Sequence, residues 1–299
     1  MNTINCIVIS FAPDKWGTHD LFKNFYRGTY TFTPDIQYAL SGAANHFHKA
    51  LILLQVAREH IARLNEDKEQ LEKYGYTPAQ RGKELSALIE SILLDLYSSV
   101  DCTRKIVTFI YKSHRGVKQS TRKFFQAVKE GKVEETVPVQ IRDAFASAHW
   151  YSDFRRMRDA LTHSDIGACH LDDKSAKVSY MHGALATNTR ALVIDDIFSH
   201  IDNLIAEINQ FMEKIFHFLN STLEDRDVWQ ICGIFDGRVY SRWVRPSEAK
   251  DFNSGICDSF KWFEKDENPK CPFIGKCEAY GRRNSEQINP ADPEQAPGS

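Results

Sequence analysis

The feature that most constrains the fold is a long stripe of apolar residues between positions 197 and 219. Its members recur every three or four residues, which is the period of one face of an α-helix. They are Ile197, Ile201, Leu204, Ile208, Phe211, Ile215 and Leu219. Because such a face must be buried against another element, the stripe predicts a helix that belongs to a helical bundle.

A second helix is predicted to begin at Thr33 and Pro34. Thr33 can serve as the N-cap, and proline is favoured in the first turn because its missing N–H has no partner there in any case. Leu40, Ala43 and Leu54 then continue an apolar stripe. We expect the charged stretch NEDKEQLEKYGYTP to end or interrupt this helix.

Two more helices complete the predicted bundle. One begins near Pro78 and runs to about Tyr111, and the other runs from near Pro138 to His163. The segment 166–183 alternates around an Asp-Asp-Lys-Ser turn, which is typical of a β-hairpin. The predicted fold is therefore mainly α, an antiparallel bundle of four or five helices with one inserted hairpin.

The chain is predicted to divide into four segments. Residues 1–32 form a strand, from the apolar run INCIVISF, and a loop. Residues 33–224 form the bundle, and residues 225–281 form a small Cys-rich α+β extension that opens with a hairpin. Residues 282–299 are polar and rich in proline, so we expect them to be disordered.

The overall charge excludes a protein that is basic throughout. The 299 residues contain 38 Lys and Arg against 40 Asp and Glu, a formal net charge of −2. Nucleic acid could therefore bind only at a local patch. No run of 18 apolar residues predicts a membrane helix, and the N-terminal run lacks the basic leader of a signal peptide. We expect a cytoplasmic protein with reduced or metal-bound cysteines.

One local patch stands out between Thr103 and Lys132. Nine basic residues occur there against a single acid, Glu130. The excess fits a solvated helix face, and it equally fits a docking site for a polyanion such as RNA. The predicted RNA contacts in this segment are Lys112, Arg115, Lys118, Arg122 and Lys123.

The stretch RRMRDALTHSD, which begins at Arg155, has two interpretations. In the first, Arg155, Asp159 and His163 form a ladder on a helix surface, each four residues apart, with a protonated His favoured at the helix C-terminus. In the second, the helix loosens near Thr162 and His163 turns toward Arg158. A guanidinium and an imidazole could then act together on one phosphodiester.

The segment from Arg158 to His163, at the end of a helix in an all-α bundle, resembles the R-x4-6-H motif of the HEPN superfamily. The resemblance covers about residues 35–223. It implies a metal-independent endoribonuclease of the toxin or anti-phage defence type. Two copies would dimerise so that their motifs form one composite cleft, and an antitoxin or a defence complex could be a further partner.

The resemblance also implies roles for single residues. Arg158 would stabilise the transition-state phosphate, His163 would serve as acid or base, and Asp159 would orient them, with Arg155 lining the cleft. The RNA 2′-hydroxyl would attack and leave a cyclic phosphate. The family also contains members without activity, so a binding module for RNA, nucleotide or protein, or a subunit of a defence complex, is the alternative.

Four cysteines lie in the C-terminal extension, separated by 24, 13 and 5 residues: Cys232, Cys257, Cys271 and Cys277. Four thiolates can hold a structural Zn2+, which stabilises a segment with little apolar core. Free thiols packed beside aromatic side chains would explain the same residues. Ligation of an iron–sulfur cluster is a third possibility.

Overall fold

The computed structural model describes residues 17–163, 166–172, 174–187, 190–235, 238–265, 267–268 and 270–282. The chain forms two compact units. A helical unit comprises Phe32–Ser221, and a smaller unit combines Met1–Thr31 with Thr222–Ser299. The predicted bundle, 33–224, has nearly the bounds of the helical unit. The N-terminal segment, however, belongs with the Cys-rich extension.

Ten α-helices occur within the described residues. They are α1 (Thr18–Phe25), α2 (Pro34–His60), α3 (Leu64–Tyr74), α4 (Gln80–Ile110), α5 (Thr121–Lys129), α6 (Val139–Ala146), α7 (Tyr151–His163), α8 (Ile197–Ser221), α9 (Phe260–Phe263) and α10 (Glu278–Gly281). The chain is therefore mainly helical, as predicted.

Six strands of the described residues form two small antiparallel sheets. The strands are β1 (Ala168–Leu171), β2 (Val178–Thr187), β3 (Arg190–Ile194), β4 (Val228–Phe235), β5 (Arg238–Val244) and β6 (Ile256–Cys257). One sheet has the order β1-β2-β3 in the helical unit, and the other has the order β4-β5-β6 in the smaller unit. Both predicted hairpins are present, but each carries a third strand that was not predicted.

Helices α2 and α4 pack along each other in opposite directions. His46, near the middle of α2, lies 2.8 Å from Asp95 of α4, whereas His60 at the end of α2 lies 3.2 Å from Glu84 near the start of α4. Beyond the contact of His46 with Asp95, Ser99 of α4 donates a 2.6 Å hydrogen bond to the carbonyl oxygen of Ala43 in α2. The apolar face of α4 is fully buried: Leu85, Ile89, Ile92, Leu93, Leu96 and Val100.

Helix α8 buries the whole of its predicted stripe, Ile197 to Leu219. It packs against α4 and α6. Phe211 on α8 lies edge-on to Phe145 of α6, with ring centroids 5.0 Å apart. Each large apolar side chain buried in this way contributes roughly 1.5–3 kcal/mol, so this stripe is a main source of the helical unit's stability.

The single helix predicted from Pro138 to His163 is wrong. The chain forms α6 and α7 with a break at residues 147–150. The break lets Phe145 and Tyr151 pack on the same ring, Phe125 of α5, at centroid distances of 4.8 and 3.6 Å. A continuous helix would place these two side chains, six residues apart, on different faces.

The charged stretch after α2 does interrupt the helix, but it is itself helical. A 3-10 turn at Ile61–Arg63 separates α2 from α3, and α3 then includes most of the charged residues. It ends at Gly75, whose φ of +69° is the left-handed conformation common after a helix. The stretch is therefore a solvated helix rather than a loop.

The smaller unit corrects the prediction of a loop after the N-terminal strand, within residues 1–32. Residues 18–25 form α1, and Phe22 and Phe25 are fully buried. Phe25 packs with Val228 and Val244, one from each strand of the predicted hairpin. The run INCIVISF lies outside the described residues, as does the predicted disordered tail beyond Arg282.

Among the described residues, no helix combines the length and apolar character needed to span a membrane.

Candidate functional site

A polar cavity of about 520 Å3 lies between α2, α4, α5 and α7 of the helical unit. Five cations and two carboxylates line it: Arg104, Lys105, Arg122, Arg155 and Arg158, with Asp101 and Asp159. Its other lining residues are His46, Tyr97, Ser98, Cys102, Ser120 and Thr121. The excess of three positive charges in a concave site favours an anionic ligand.

Asp159 holds two of these guanidinium groups. Its Oδ2 accepts a 2.8 Å hydrogen bond from Arg155, and its Oδ1 accepts a 3.1 Å bond from Arg158. The Arg158 guanidinium also lies 4.9 Å from the centre of the Tyr97 ring, a cation–π contact. Arg158 is therefore fixed on two sides, and its remaining donors suit the oxygens of a phosphate.

Arg104 forms the buried floor of the cavity. It donates to Asp101 at 2.7 Å and to Thr121 at 3.0 Å, and Thr121 donates in turn to Asp101. Burial acts to raise the pKa of Asp101, but the hydrogen bonds from Thr121 and Arg104 outweigh it and hold this pKa below its usual value. Since each of these groups has a partner, the trio joins α4 to α5 and keeps the floor rigid.

The predicted RNA-binding set is divided by the fold. Of the five contacts predicted in the basic segment, Arg122 lines the cavity, and Arg155, which was predicted to line the cleft, lines it as well. Lys112, Arg115, Lys118 and Lys123 are exposed and do not belong to the lining. Arg104 and Lys105, which were counted in the segment but not proposed as contacts, do reach the cavity.

His163 is exposed at the end of α7 and does not belong to the cavity lining. The condition for it to meet Arg158 was a loosening of the helix near Thr162. Instead α7 stays helical to His163, and the Thr162 hydroxyl donates to the Arg158 carbonyl at 2.8 Å. Residues five apart point about 140° apart on a regular helix. Within one chain, Arg158 and His163 therefore do not converge.

Sequence reasoning missed a different histidine. His46 lines the cavity, and its Nδ1 lies 2.8 Å from Asp95 Oδ1. The Asp95 side chain is only 8% exposed, and its other oxygen lies 2.9 Å from Lys49 Nζ. The local sequence around His46 and His48 could not indicate the pairing of His46 with Asp95, because Asp95 is 49 residues away on α4.

A second cavity of about 600 Å3 lies beside the first and shares Arg122 and Arg155 with it. Its walls include the aromatic rings of Phe125, Phe145 and Tyr151. These three rings are nearly buried and pack on one another, so they offer little surface on which a base could stack.

The four candidate zinc ligands gather in the smaller unit. Cys232 occupies a β-bulge of β4, between Ile231 and Gly233, and Cys257 lies on β6. Cys232, Cys257 and Cys271 pack against the same cluster of Tyr240 and Phe263.

The thiols also influence one another electrostatically. Burial, with smaller contributions from the neighbouring Cys232, Cys277 and Cys271, raises the pKa of Cys257 to about 12. All four are free thiols. Within the described residues, however, no three His, Cys, Asp or Glu side chains are already arranged to hold a metal ion.

No protein-family model matches the chain, and neither a curated protein nor a solved structure shows significant similarity to it.

Proposed function

We propose that the helical unit is a HEPN-like, metal-independent endoribonuclease, and that an RNA phosphate binds in the basic cavity at Arg158. The observation that carries the proposal is the pair of guanidinium groups, Arg155 and Arg158, aligned by Asp159 in a cavity with excess positive charge. Preorganised cations of this kind stabilise the charge that develops on phosphate during transfer.

The reaction would be an attack of the RNA 2′-hydroxyl on the adjacent phosphorus. The bond from phosphorus to the 2′-oxygen forms while the bond to the 5′-oxygen breaks, which leaves a 2′,3′-cyclic phosphate and a 5′-hydroxyl. One proton leaves the 2′-oxygen and one reaches the departing 5′-oxygen, so two proton-transferring groups are needed. Arg158 would stabilise the extra charge on the non-bridging oxygens.

His163 can take part only if a second copy of the chain brings it to the cavity. We therefore propose a homodimer in which His163 of the partner subunit faces Arg158, as the resemblance implies. The exposed position of His163 at the end of α7 leaves it accessible to such a partner.

The test is to incubate purified protein with mixed single-stranded RNA in the presence of a chelator. Cleavage should persist without divalent metal, and Arg158→Ala should reduce its rate by at least about 100-fold. Arg156→Ala is the matched control, because Arg156 is on the same helix, is exposed and pairs with Asp153 outside the cavity. A chain that cleaves none of the RNAs, or an equal loss in the two variants, would refute the nuclease proposal.

A non-catalytic binding module is the second candidate. The second cavity, which shares Arg122 and Arg155 with the basic one, favours it, since the two together could hold a nucleotide without any chemistry. In that case RNA would bind and remain intact, and Arg158→Ala would weaken binding rather than cleavage. Measuring affinity and cleavage in the same samples separates the two candidates.

We further propose one structural Zn2+ in the smaller unit, held by Cys232, Cys257, Cys271 and Cys277. Three of these side chains already pack on one small aromatic cluster, and a sulfur set of four is the usual donor set of a structural zinc site. Since no three described side chains of the ligand types are yet arranged to hold a metal, zinc binding would require a local rearrangement of these thiols. It would take no part in cleavage.

The cellular role we propose is a cytoplasmic toxin or anti-phage defence effector, restrained by an antitoxin or a defence-complex partner. Free thiols at the six described cysteines fit a reducing compartment. Induced expression of the parent chain should arrest growth, and expression of the Arg158→Ala variant should not. Equal toxicity of the two would argue against a role that depends on cleavage.

A further inference from the structure

Asp95 and His46 form a pair across the interface of α2 and α4. Asp95 is a carboxylate in the interface of α2 and α4, with only 8% of its side chain exposed, and it contacts both His46 and Lys49. Lys49, which is 61% exposed, already supplies a positive charge to compensate the buried carboxylate. The contact between Asp95 and His46 also holds the imidazole ring in one orientation.

The geometry also determines which nitrogen of His46 is available. Nδ1 faces Asp95 at 2.8 Å, and an ionised carboxylate can only accept a hydrogen bond. Nδ1 therefore carries a proton, and in the neutral ring Nε2 is the basic nitrogen. An imidazole held by a buried carboxylate in this way is an arrangement suited to general acid–base catalysis.

His46 belongs to the same cavity lining as Arg158. The two residues come from α2 and α7, and the ring of Tyr97 on α4, which also lines the cavity, contacts the Arg158 guanidinium. Of the described histidines, only His46 lines this cavity. Its side chain is 40% exposed, so a ligand in the cavity can reach it.

We infer that His46 is a catalytic acid–base residue of this cavity and that Asp95 positions it. The inference rests on the proposed nuclease function and adds a second proton-transferring group to it, from the same chain as Arg158. Nε2 would accept the proton of the RNA 2′-hydroxyl as the bond to phosphorus forms. His163 of the partner subunit would then supply the proton to the departing 5′-oxygen.

The test compares His46→Ala with His48→Ala in the RNA cleavage assay. His48 is two residues away on the same helix and exposed, and it does not line the cavity. We expect His46→Ala to reduce the cleavage rate by about 100-fold or more, with RNA affinity changed less than threefold, since general acid–base catalysis contributes on that scale. His48→Ala should cleave at the parental rate.

Added imidazole provides a readout that a purely structural role would not affect. If His46 transfers a proton, imidazole in solution should restore part of the activity of His46→Ala and should not restore that of Arg158→Ala. Asp95→Asn should also reduce the rate, and imidazole should not rescue it, because the His46 ring still occupies its place. Thermal unfolding of each variant controls for loss of the fold.

Two results would separate this inference from the nuclease proposal. If the parent cleaves RNA, Arg158→Ala does not, and His46→Ala cleaves normally, the inference is wrong and the nuclease proposal stands. If His46→Ala is inactive, folded and not rescued by imidazole at any concentration, His46 is not the proton acceptor. If the parent chain is inert, both proposals fall together.

Discussion

Arg155 and Asp159, one turn apart on α7, are joined by a 2.8 Å ion pair, and the second oxygen of Asp159 accepts a hydrogen bond from Arg158. One carboxylate thus orients two guanidinium groups on the wall of a cavity. The same contacts remove part of the positive charge that an anion would meet. Asp159 therefore weakens the attraction of the cavity for a phosphate, but it improves the alignment of the two guanidinium groups that would hold it.

This relationship predicts a separation of binding from cleavage in Asp159→Ala. Removing the negative charge should leave RNA affinity unchanged or increase it, because the cavity becomes more positive. The cleavage rate should fall by at least about tenfold, since two guanidinium groups lose their common anchor and misplacement by about 1 Å is costly. Parallel measurements of affinity and single-turnover rate would check this, and a loss of affinity would contradict it.

A mixing experiment tests the composite site. Arg158→Ala and His163→Ala should each be inactive alone, but a mixed dimer contains one site with both residues intact. Random reassortment makes half of the dimers mixed, so an equimolar mixture should recover roughly a quarter of the parental activity. A mixture that stays inactive, although the chains exchange, would mean that the two residues do not share a site across a dimer.

The salt dependence of RNA binding distinguishes the cavity from the exposed basic surface. Arg122→Ala should weaken RNA binding at low salt and reduce the slope of log affinity against log salt by about one, as expected for the loss of a phosphate contact. Lys123→Ala is the matched control, because Lys123 is adjacent in sequence but outside the cavity lining. Equal effects would favour docking along the whole basic segment.

Elemental analysis tests the zinc proposal. The purified parent should contain about one zinc per chain, and Cys257→Ser should lose most of it, because a tetrahedral structural site requires all four ligands. Cys169→Ser is the control, since Cys169 lies on β1 of the helical unit. A parent chain without metal, purified without chelator, would leave the free-thiol interpretation.

Acid stability should depend on Asp101. Its pKa in the folded chain is lowered from the usual 3.8, so the stability that it contributes is present above that value and is lost as the pH falls through the folded pKa. Asp101→Asn should therefore reduce stability at neutral pH and flatten the decline below about pH 4. Urea unfolding across this pH range would show it, and an unchanged decline would contradict it.

Local sequence determined the positions of the long helices. The starts of α2 and α4 and the whole buried face of α8 follow from apolar period and from Thr33-Pro34, because one helix face is encoded by residues three and four apart. The same signal was insufficient for short or broken elements. Alpha1 has only eight residues, and the break between α6 and α7 exists because Phe145 and Tyr151 both pack on Phe125, which the local period does not encode.

Only the tertiary structure decided how the candidate site is composed. The sequence pointed to Arg155, Arg158 and Asp159, and the structure places these side chains at one cavity. It keeps His163 away from Arg158 because α7 stays regular, and it adds His46, whose partner Asp95 lies on another helix. Local periodicity specifies which face of a helix is buried, but the pairing of faces depends on packing between distant segments, and that pairing brings a cavity's residues together.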